Sequence, residues 1–395
     1  MIAKRPLADL LKEGNRNGLT KPKKIRGNGV KMVGMGEIFS HSRISNIDME
    51  RVPVTEKELK NYSLQPNDLL FARQSLVWEG AGKCSIVVDI DEPTVFESHL
   101  IRVRIDESIA NPRFVYYFFN STLGHKYVLT IVEQVAAAGL RSSDLVKLEI
   151  PCPDIVVQNK CASLLETLDK KIDTNTAINK NLEEQAQALY DELFADSSFD
   201  ATLADLGTVV GGSTPSKKHP EYYTDQGIAW ITPKDLSNDS SKFIYHGEND
   251  ITELGLSKCS ATVMPTGTVL FSSRAPIGYI AIAANPTATN QGFKSVIPNE
   301  DIGTAFIYYF LKNNLTIIES MASGSTFKEI SAGAMKTVPA FIPSNDKLCQ
   351  FQDFCEPLFN HQKSLESENT SLSQLRDTLL PRLMSGEIDV SSIEI

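Results

Sequence analysis

The stretch "GGSTPSKKHPEYYTDQGIAWITPKDL", residues 211–236, concentrates hydroxyls, lysines, glycines and the lone tryptophan of its neighbourhood in one polar segment. A phosphate cradle of the G-x-x-x-x-G-K-[ST] type is excluded, because that spacing is absent. What these residues can do is hydrogen-bond. Gly211, Gly212, Ser213, Thr214, Ser216, Lys217 and Lys218 offer backbone N–H groups, hydroxyls and ammonium groups, and Trp230, Thr232, Lys234 and Asp235 close the same turn from the other side. Donors and acceptors on a rigid loop, flanked by cations, suit base edges and phosphates. Asp235, and Glu37 in a similar stretch, read as caps or braces of the turn, since carboxylates repel a phosphate backbone.

Covalent chemistry has no comparable candidate. His41, His99, His125, His219, His246 and His361 form no catalytic or metal-binding spacing, and "NPRF" and "NPTA" do not supply the N-P-P-Y-like motif of an adenine methyltransferase. Cys84, Cys152, Cys161, Cys259, Cys349 and Cys355 contain no C-x-x-C pair and read as buried thiols. The charged start "MIAKRPLADLLKEG" and the lack of any eighteen-residue apolar run predict a soluble, cytoplasmic protein.

The net charge of −10 is unevenly spread. Residues 1–36 carry nine Lys/Arg against Asp9 and Glu13, whereas residues 155–196 and 343–395 are acidic. The overall acidity argues against a nucleic-acid partner, but the local basic arm reverses that, and the acidic stretches read as solvated helix faces.

These candidates sit in a duplicated framework. "LADL" at 7–10 recurs at 203–206, "GVKMVGMGEI" (29–38) matches "GIAWITPKDL" (227–236), and "DLLFAR" (68–73) returns as "TVLFSSR" (268–274). "FVYYFF" (114–119) returns as "FIYYFL" (306–311), and "NKNLEEQAQALYDELF" matches "NTSLSQLRDTLLPRLM" with Asn179 opposite Asn369. Short β-branched runs predict strands. The aromatic runs predict core helices, with Asn111 and Thr304 as N-caps.

After Pro153, Leu165, Leu168, Ile172, Asn175, Asn179, Leu182, Ala186, Leu189 and Leu193 follow at steps of three and four, and Leu365, Asn369, Leu372 and Leu379 repeat the pattern. That spacing predicts a coiled-coil seam, with Asn179 and Asn369 as pairing determinants. The expected fold is α+β: two tandem-duplicated globular domains, 1–154 and 197–342, separated by two long helices, 155–196 and 343–395, packed as an antiparallel coiled coil. A first-helix seam of roughly 42 Å, at about 1.5 Å per residue, is comparable with one turn of B-DNA, about 34 Å.

Taken together, residues 211–236, "SSRAPIGYIAIA", "TNQGFKSVIP" and the terminal "LRDTLLPRLMSGEI" resemble the HsdS family, the DNA-specificity subunits of type I restriction-modification systems. The resemblance implies a non-catalytic subunit with two target recognition domains, each reading one half of a bipartite site in double-stranded DNA. It implies two methyltransferase (HsdM) subunits docked on the helices, with S-adenosylmethionine bound in those partners, and restriction (HsdR) subunits in the full complex. It places DNA contacts on Ser213, Thr214, Ser216, Lys217, Thr232, Lys234, Arg274, Asn290 and Gln291. Through the duplication it extends them to Lys31, Arg73, Lys83, Ser98 and His99. The first domain departs from the pattern, offering "NRNGLTKPKKIRGNG" in place of GGSTPS, so it is expected to read a different half-site. A two-lobed structural adaptor, or the recognition part of a self-contained restriction-modification enzyme, are the alternatives.

Overall fold

The structure is a computed structural model that describes residues 3–134, 138–239, 241–324 and 328–390. The chain forms two compact units, Met1–Ile172 with Ser371–Ile395, and Asp173–Thr370. Both boundaries fall inside long helices, a central one (Ile155–Phe194) and a distal one (Asn345–Ser385), so each helix gives one part to each unit. The cause is apolar burial. In the first unit Cys161, Ala162 and Leu165 join Leu380, Leu383 and Met384 in the domain core. In the second, Ala186, Tyr190, Leu193 and Phe194 join Leu348, Phe351, Cys355 and Phe359.

Within the second unit the two helices are antiparallel. The Asn175 amide donates to Asn369 Oδ1 (2.9 Å), Gln362 donates to the Asn179 carbonyl (3.0 Å), and Lys347 donates to the Leu193 carbonyl (2.7 Å). Asn369 therefore pairs with Asn175 and not with Asn179, because the register of the antiparallel helices sets Asn179 opposite Gln362. The seam is also less apolar than its leucines imply. Leu165 and Leu365 are buried, but Leu168, Ile172, Leu182, Leu189, Leu372 and Leu379 are half-buried. The side-chain oxygens of Asn175 and Asn179 are buried without a hydrogen-bond partner among the described residues.

The two units repeat one sheet. In the first the strand order is Arg16–Asn17, Leu100–Val103, Leu69–Ala72, Cys84–Val87, Arg43–Ile44; in the second it is Gly207–Gly211, Lys294–Pro298, Val269–Ser273, Ile277–Ala283, Phe243–Ile244. Each sheet is antiparallel except at its last pair. Each unit adds a parallel pair, Val30–Val33 with Thr94–Phe96 and Ala229–Ile231 with Thr287–Thr289. The "LADL" segments are single helical turns that bury their leucines.

The aromatic helices Pro112–Asn120 and Thr304–Asn313 are core, with Phe114, Phe118, Phe306 and Phe310 fully enclosed. Asn111 caps the first, its Oδ1 accepting from Arg113 and Phe114 N–H. At the second the cap is Gly303, at φ 77°, a left-handed conformation that favours glycine; Thr304 is the first helical residue and spends its hydroxyl on the Gly267 carbonyl (2.8 Å). The cysteines are less uniformly buried than expected: Cys84, Cys161 and Cys355 are enclosed, Cys152 and Cys259 half-buried, and Cys349 exposed. Among the described residues no helix is long and apolar enough to cross a membrane.

One tyrosine of each aromatic helix reaches the central helix through an acid. Tyr117 donates to Asp169 (2.6 Å), which also accepts from Arg376 (2.9 Å). Tyr309 donates to Glu183 (2.8 Å), which pairs with Lys312 and with Lys242. Lys242 is 7% exposed; it also donates to Gln362 (2.8 Å) and lies 4.1 Å from the Phe359 ring centroid. Burial pushes the Lys242 ammonium below its ordinary value, against the pull of Glu183. Burial pushes Glu183 up, but Lys242 and Lys312 outweigh it and hold the carboxyl below its ordinary value.

Candidate nucleic-acid interface

In the second domain the parallel strands Ala229–Ile231 and Thr287–Thr289 end side by side, and the chain leaves them into Thr232 and Asn290. Across these ends runs the glycine-rich loop. A Cβ on Gly212 would lie 2.1 Å from the Asn290 carbonyl oxygen and 2.2 Å from that of Thr289, so only glycine lets the backbone pass. Ser213 N–H then donates to Thr289 O (2.9 Å). Trp230, buried on its strand, donates its indole N–H to Ser213 O (3.0 Å), and Tyr223 donates to Pro215 O (2.6 Å). Trp230 is thus a clamp that fixes the loop.

The opposite wall is the helix Pro233–Asn238. Asp235 Oδ2 accepts from Thr232 N–H and Thr232 Oγ1, both at 2.7 Å, and its Oδ1 accepts from Glu248 N–H at 2.8 Å. The carboxylate is a brace that caps the helix and ties it to the Glu248 main chain. Between the walls lies a cleft of about 710 Å³. Thr214, Lys217, Thr232, Lys234, Arg274, Asn290 and Gln291 line it, seven of the expected contacts; Ser213 and Ser216 are not among its lining residues.

Hydrogen bonds and ion pairs pose these side chains. Thr214 meets the Gln291 amide oxygen, and Asn290 Oδ1 accepts from Gly292 N–H (2.8 Å). Arg274 and Lys294 share Glu329, at 3.3 and 3.5 Å, and Lys234 pairs with Glu248 at 2.6 Å. The hydrogen bond it donates to Glu248, and the charge of that carboxylate, raise the Lys234 ammonium above its ordinary value. Solvent-exposed pairs such as Lys234–Glu248 and Arg274–Glu329 contribute only about 0–1 kcal/mol, so a phosphate or a guanine edge can displace the acid.

The first domain has the same seat. A Cβ on Gly18 would lie 2.3 Å from both the Phe96 and Glu97 carbonyl oxygens, and Leu19 N–H donates to Phe96 O (2.8 Å). Gly18 is therefore the counterpart of Gly212, although GGSTPS is absent. Glu37 braces the facing turn by accepting from Gly34 N–H (2.8 Å), and Glu97 accepts from Met35 N–H (2.6 Å).

Its candidate contacts are differently placed. Arg73 N–H donates to His99 O (2.8 Å) as Ser273 N–H donates to Gly292 O (2.7 Å). Arg73 thus takes the place of Ser273, and Gln74 that of Arg274. Matching the two arginines introduces a one-residue slip, which turns a strand side chain to the other face. Counting from the paired Phe71 and Phe271 places Gln74 correctly. Ser98 and His99 take the places of Gln291 and Gly292; Ser98 is half-buried and donates its N–H to Leu19 O (2.9 Å), while exposed His99 meets Gln74 Oε1 (3.0 Å).

Lys31 lies apart from these, paired with Glu92 (3.1 Å) and Asp91 (3.7 Å). Lys83 donates to Phe39 O (2.7 Å), and burial lowers its ammonium below the ordinary value. The basic arm is partly neutralised too, by Lys21–Glu58 (2.9 Å) and Arg26–Glu50 (2.7 Å), while Lys23 and Lys24 stay exposed.

Known proteins share this organisation. The model of the type I restriction modification DNA specificity domain matches residues 2–184 and again 200–375. The chain is 40% identical over 166 residues to the type I restriction enzyme MjaIX specificity subunit of Methanocaldococcus jannaschii, across 41% of this chain and 38% of that protein. It is 23% identical over 433 residues to the HindI specificity subunit of Haemophilus influenzae, across 89% and 91% of the two chains. The fold is that of the S subunit of a type I restriction-modification system from M. genitalium, with a TM-score of 0.58 at 15% identity over 97% of this chain and 96% of that one. With the specificity domain present twice and covering most of its length, the chain belongs to the type I restriction-modification DNA specificity family.

Proposed function

We propose that the chain is the non-catalytic, DNA-reading specificity subunit of a cytoplasmic type I restriction-modification complex. Each domain reads one half of a bipartite site in double-stranded DNA. Two methyltransferase subunits, carrying S-adenosylmethionine, methylate adenine at the sites so chosen, and restriction subunits cleave. The observation that carries this reading is a repeated cleft with a constant frame and changed lining. Gly18 and Gly212, and Glu37 and Asp235, hold the same turns in the two domains, whereas Gln74 stands where the other has Arg274. Such a pair is what two half-sites of unlike sequence require, because base contacts specify while the frame only positions.

The test is an exchange of residues 200–340 for the matching domain of a relative, with methylated adenines mapped in genomic DNA. One half of the motif is expected to change while the other half and the spacer stay. A change in both halves would refute independent reading.

A further inference from the structure

We propose that the first domain reads a thymine through Leu76, with Gln74 beside it addressing an adenine edge; this rests on the function proposed above. The turn after the strand Leu69–Ala72 occupies the place that Arg274 and Ala275 hold in the second domain's cleft. At its tip Leu76 is 96% exposed and Val77 59% exposed. With Met35, Phe39, Gln74 and His99, Leu76 borders a hollow of about 510 Å³.

The turn is held firmly. Ser75 is buried, its hydroxyl accepts from Val77 N–H (3.1 Å), and a Cβ on Gly80 would come within 2.3 Å of that hydroxyl. Gln74 and Ser75 also pair with Gly139 and Ala138 as a short strand. Leu76 does not stand alone: with exposed Phe39 and Val77 and with Met35 it forms an apolar patch around the hollow, and such a patch beside polar groups marks a site for an apolar partner. In the major groove the only apolar group on a base edge is the thymine methyl, and a glutamine amide matches the N6 and N7 of adenine. The Gln74 oxygen already meets His99 Nδ1 (3.0 Å), which fixes the amide beside the leucine.

The experiment uses the specificity chain assembled with its methyltransferase subunits and a duplex bearing the mapped motif. In the half-site that survives exchange of residues 200–340, each thymine is replaced singly by deoxyuridine, which lacks only the methyl. One replacement is expected to weaken wild-type binding about fourfold, the equivalent of one buried methyl group. Leu76→Ala should weaken binding to the thymine duplex at least as much and should lose the thymine–deoxyuridine difference, while replacements in the other half-site behave as in wild type. Equal loss on both duplexes would make Leu76 a wedge between bases and overturn the inference, as would indifference to every replacement or a half-site without thymine. A wild-type complex that binds no duplex selectively would remove the functional reading and this inference together.

Discussion

Glu183→Gln tests whether the second domain is fixed to its helices by charge. The substitution keeps the side chain's shape but leaves the Lys242 ammonium, 7% exposed, hydrogen-bonded to the neutral acceptors Gln362 (2.8 Å) and Tyr309 (3.3 Å) in place of a carboxylate. Removing one partner of a buried ion pair costs about 3–5 kcal/mol. Glu366, which accepts from the Lys242 backbone N–H (2.8 Å), still acts on the ammonium through its charge, and the Phe359 ring shelters it, so the lower end applies, about 3 kcal/mol. In a unit of about 200 residues, that lowers the unfolding midpoint by about 6–12 °C. Lys242→Met should cost less, because Glu183 keeps Lys312, and the double variant should be more stable than Glu183→Gln alone, since no charge is then left buried and unpaired.

Acid supplies a second reading of the same pair. The folded Glu183 carboxyl titrates below its unfolded value, so its stabilisation is present above about pH 4.3 and is lost as pH falls through the lowered folded value. The gap between wild type and Glu183→Gln, followed by scanning calorimetry, should shrink on acidification across that range. Additive losses in the double variant, or a gap that does not narrow with acid, would refute the charge-coupled junction.

Arg274→Ala should weaken DNA binding by roughly 1–3 kcal/mol with relaxed specificity at one position if it touches a base, or equally for all sequences with a flatter salt slope if it touches phosphate; unchanged binding at every salt concentration sinks both. Asp235→Ala removes an acceptor from three donors and should destabilise the second domain by about 2 kcal/mol or more, measured by denaturant unfolding, with Asp235→Asn recovering part. Leu182→Asp or Leu372→Asp places a charge on a half-buried seam and should abolish co-purification with the methyltransferase subunits. Retention of both subunits would show that the helices are not the docking scaffold.

The duplication, the long helices and the aromatic core helices were legible because apolar spacing and repeated strings report directly on what is buried. Glycine seats were half legible: GGSTPS advertises Gly212, whereas Gly18 stands in an unrelated string and is known only by the carbonyls it passes. Arg73 and Gln74 changed places because similarity of type is not equivalence of backbone position. Asn175 was visible in the heptad pattern, but its partner depended on helix direction and offset, which a repeat comparison does not carry. Lys242 was unreadable for a different reason. A lysine in "SNDSSKFIYHG" looks like a solvated loop cation, and only the fold brings Glu183 and the rings of Tyr309 and Phe359 around it.

The glycine seats have an evolutionary corollary. They hold each loop against the strand ends through its main chain, and the side chains beyond them, such as Thr214 and Gln291 in one domain or Gln74, Leu76 and His99 in the other, are exposed or line open hollows outside the packed core. Substitution there is nearly free of stability cost, since surface changes away from caps and cores usually stay within about ±0.5 kcal/mol. A lineage can therefore drift to a new recognition alphabet one letter at a time without passing through an unfolded ancestor. The residues such drift has to leave in place are the ones that hold the turns: Gly18, Gly212, Glu37, Asp235 and Trp230.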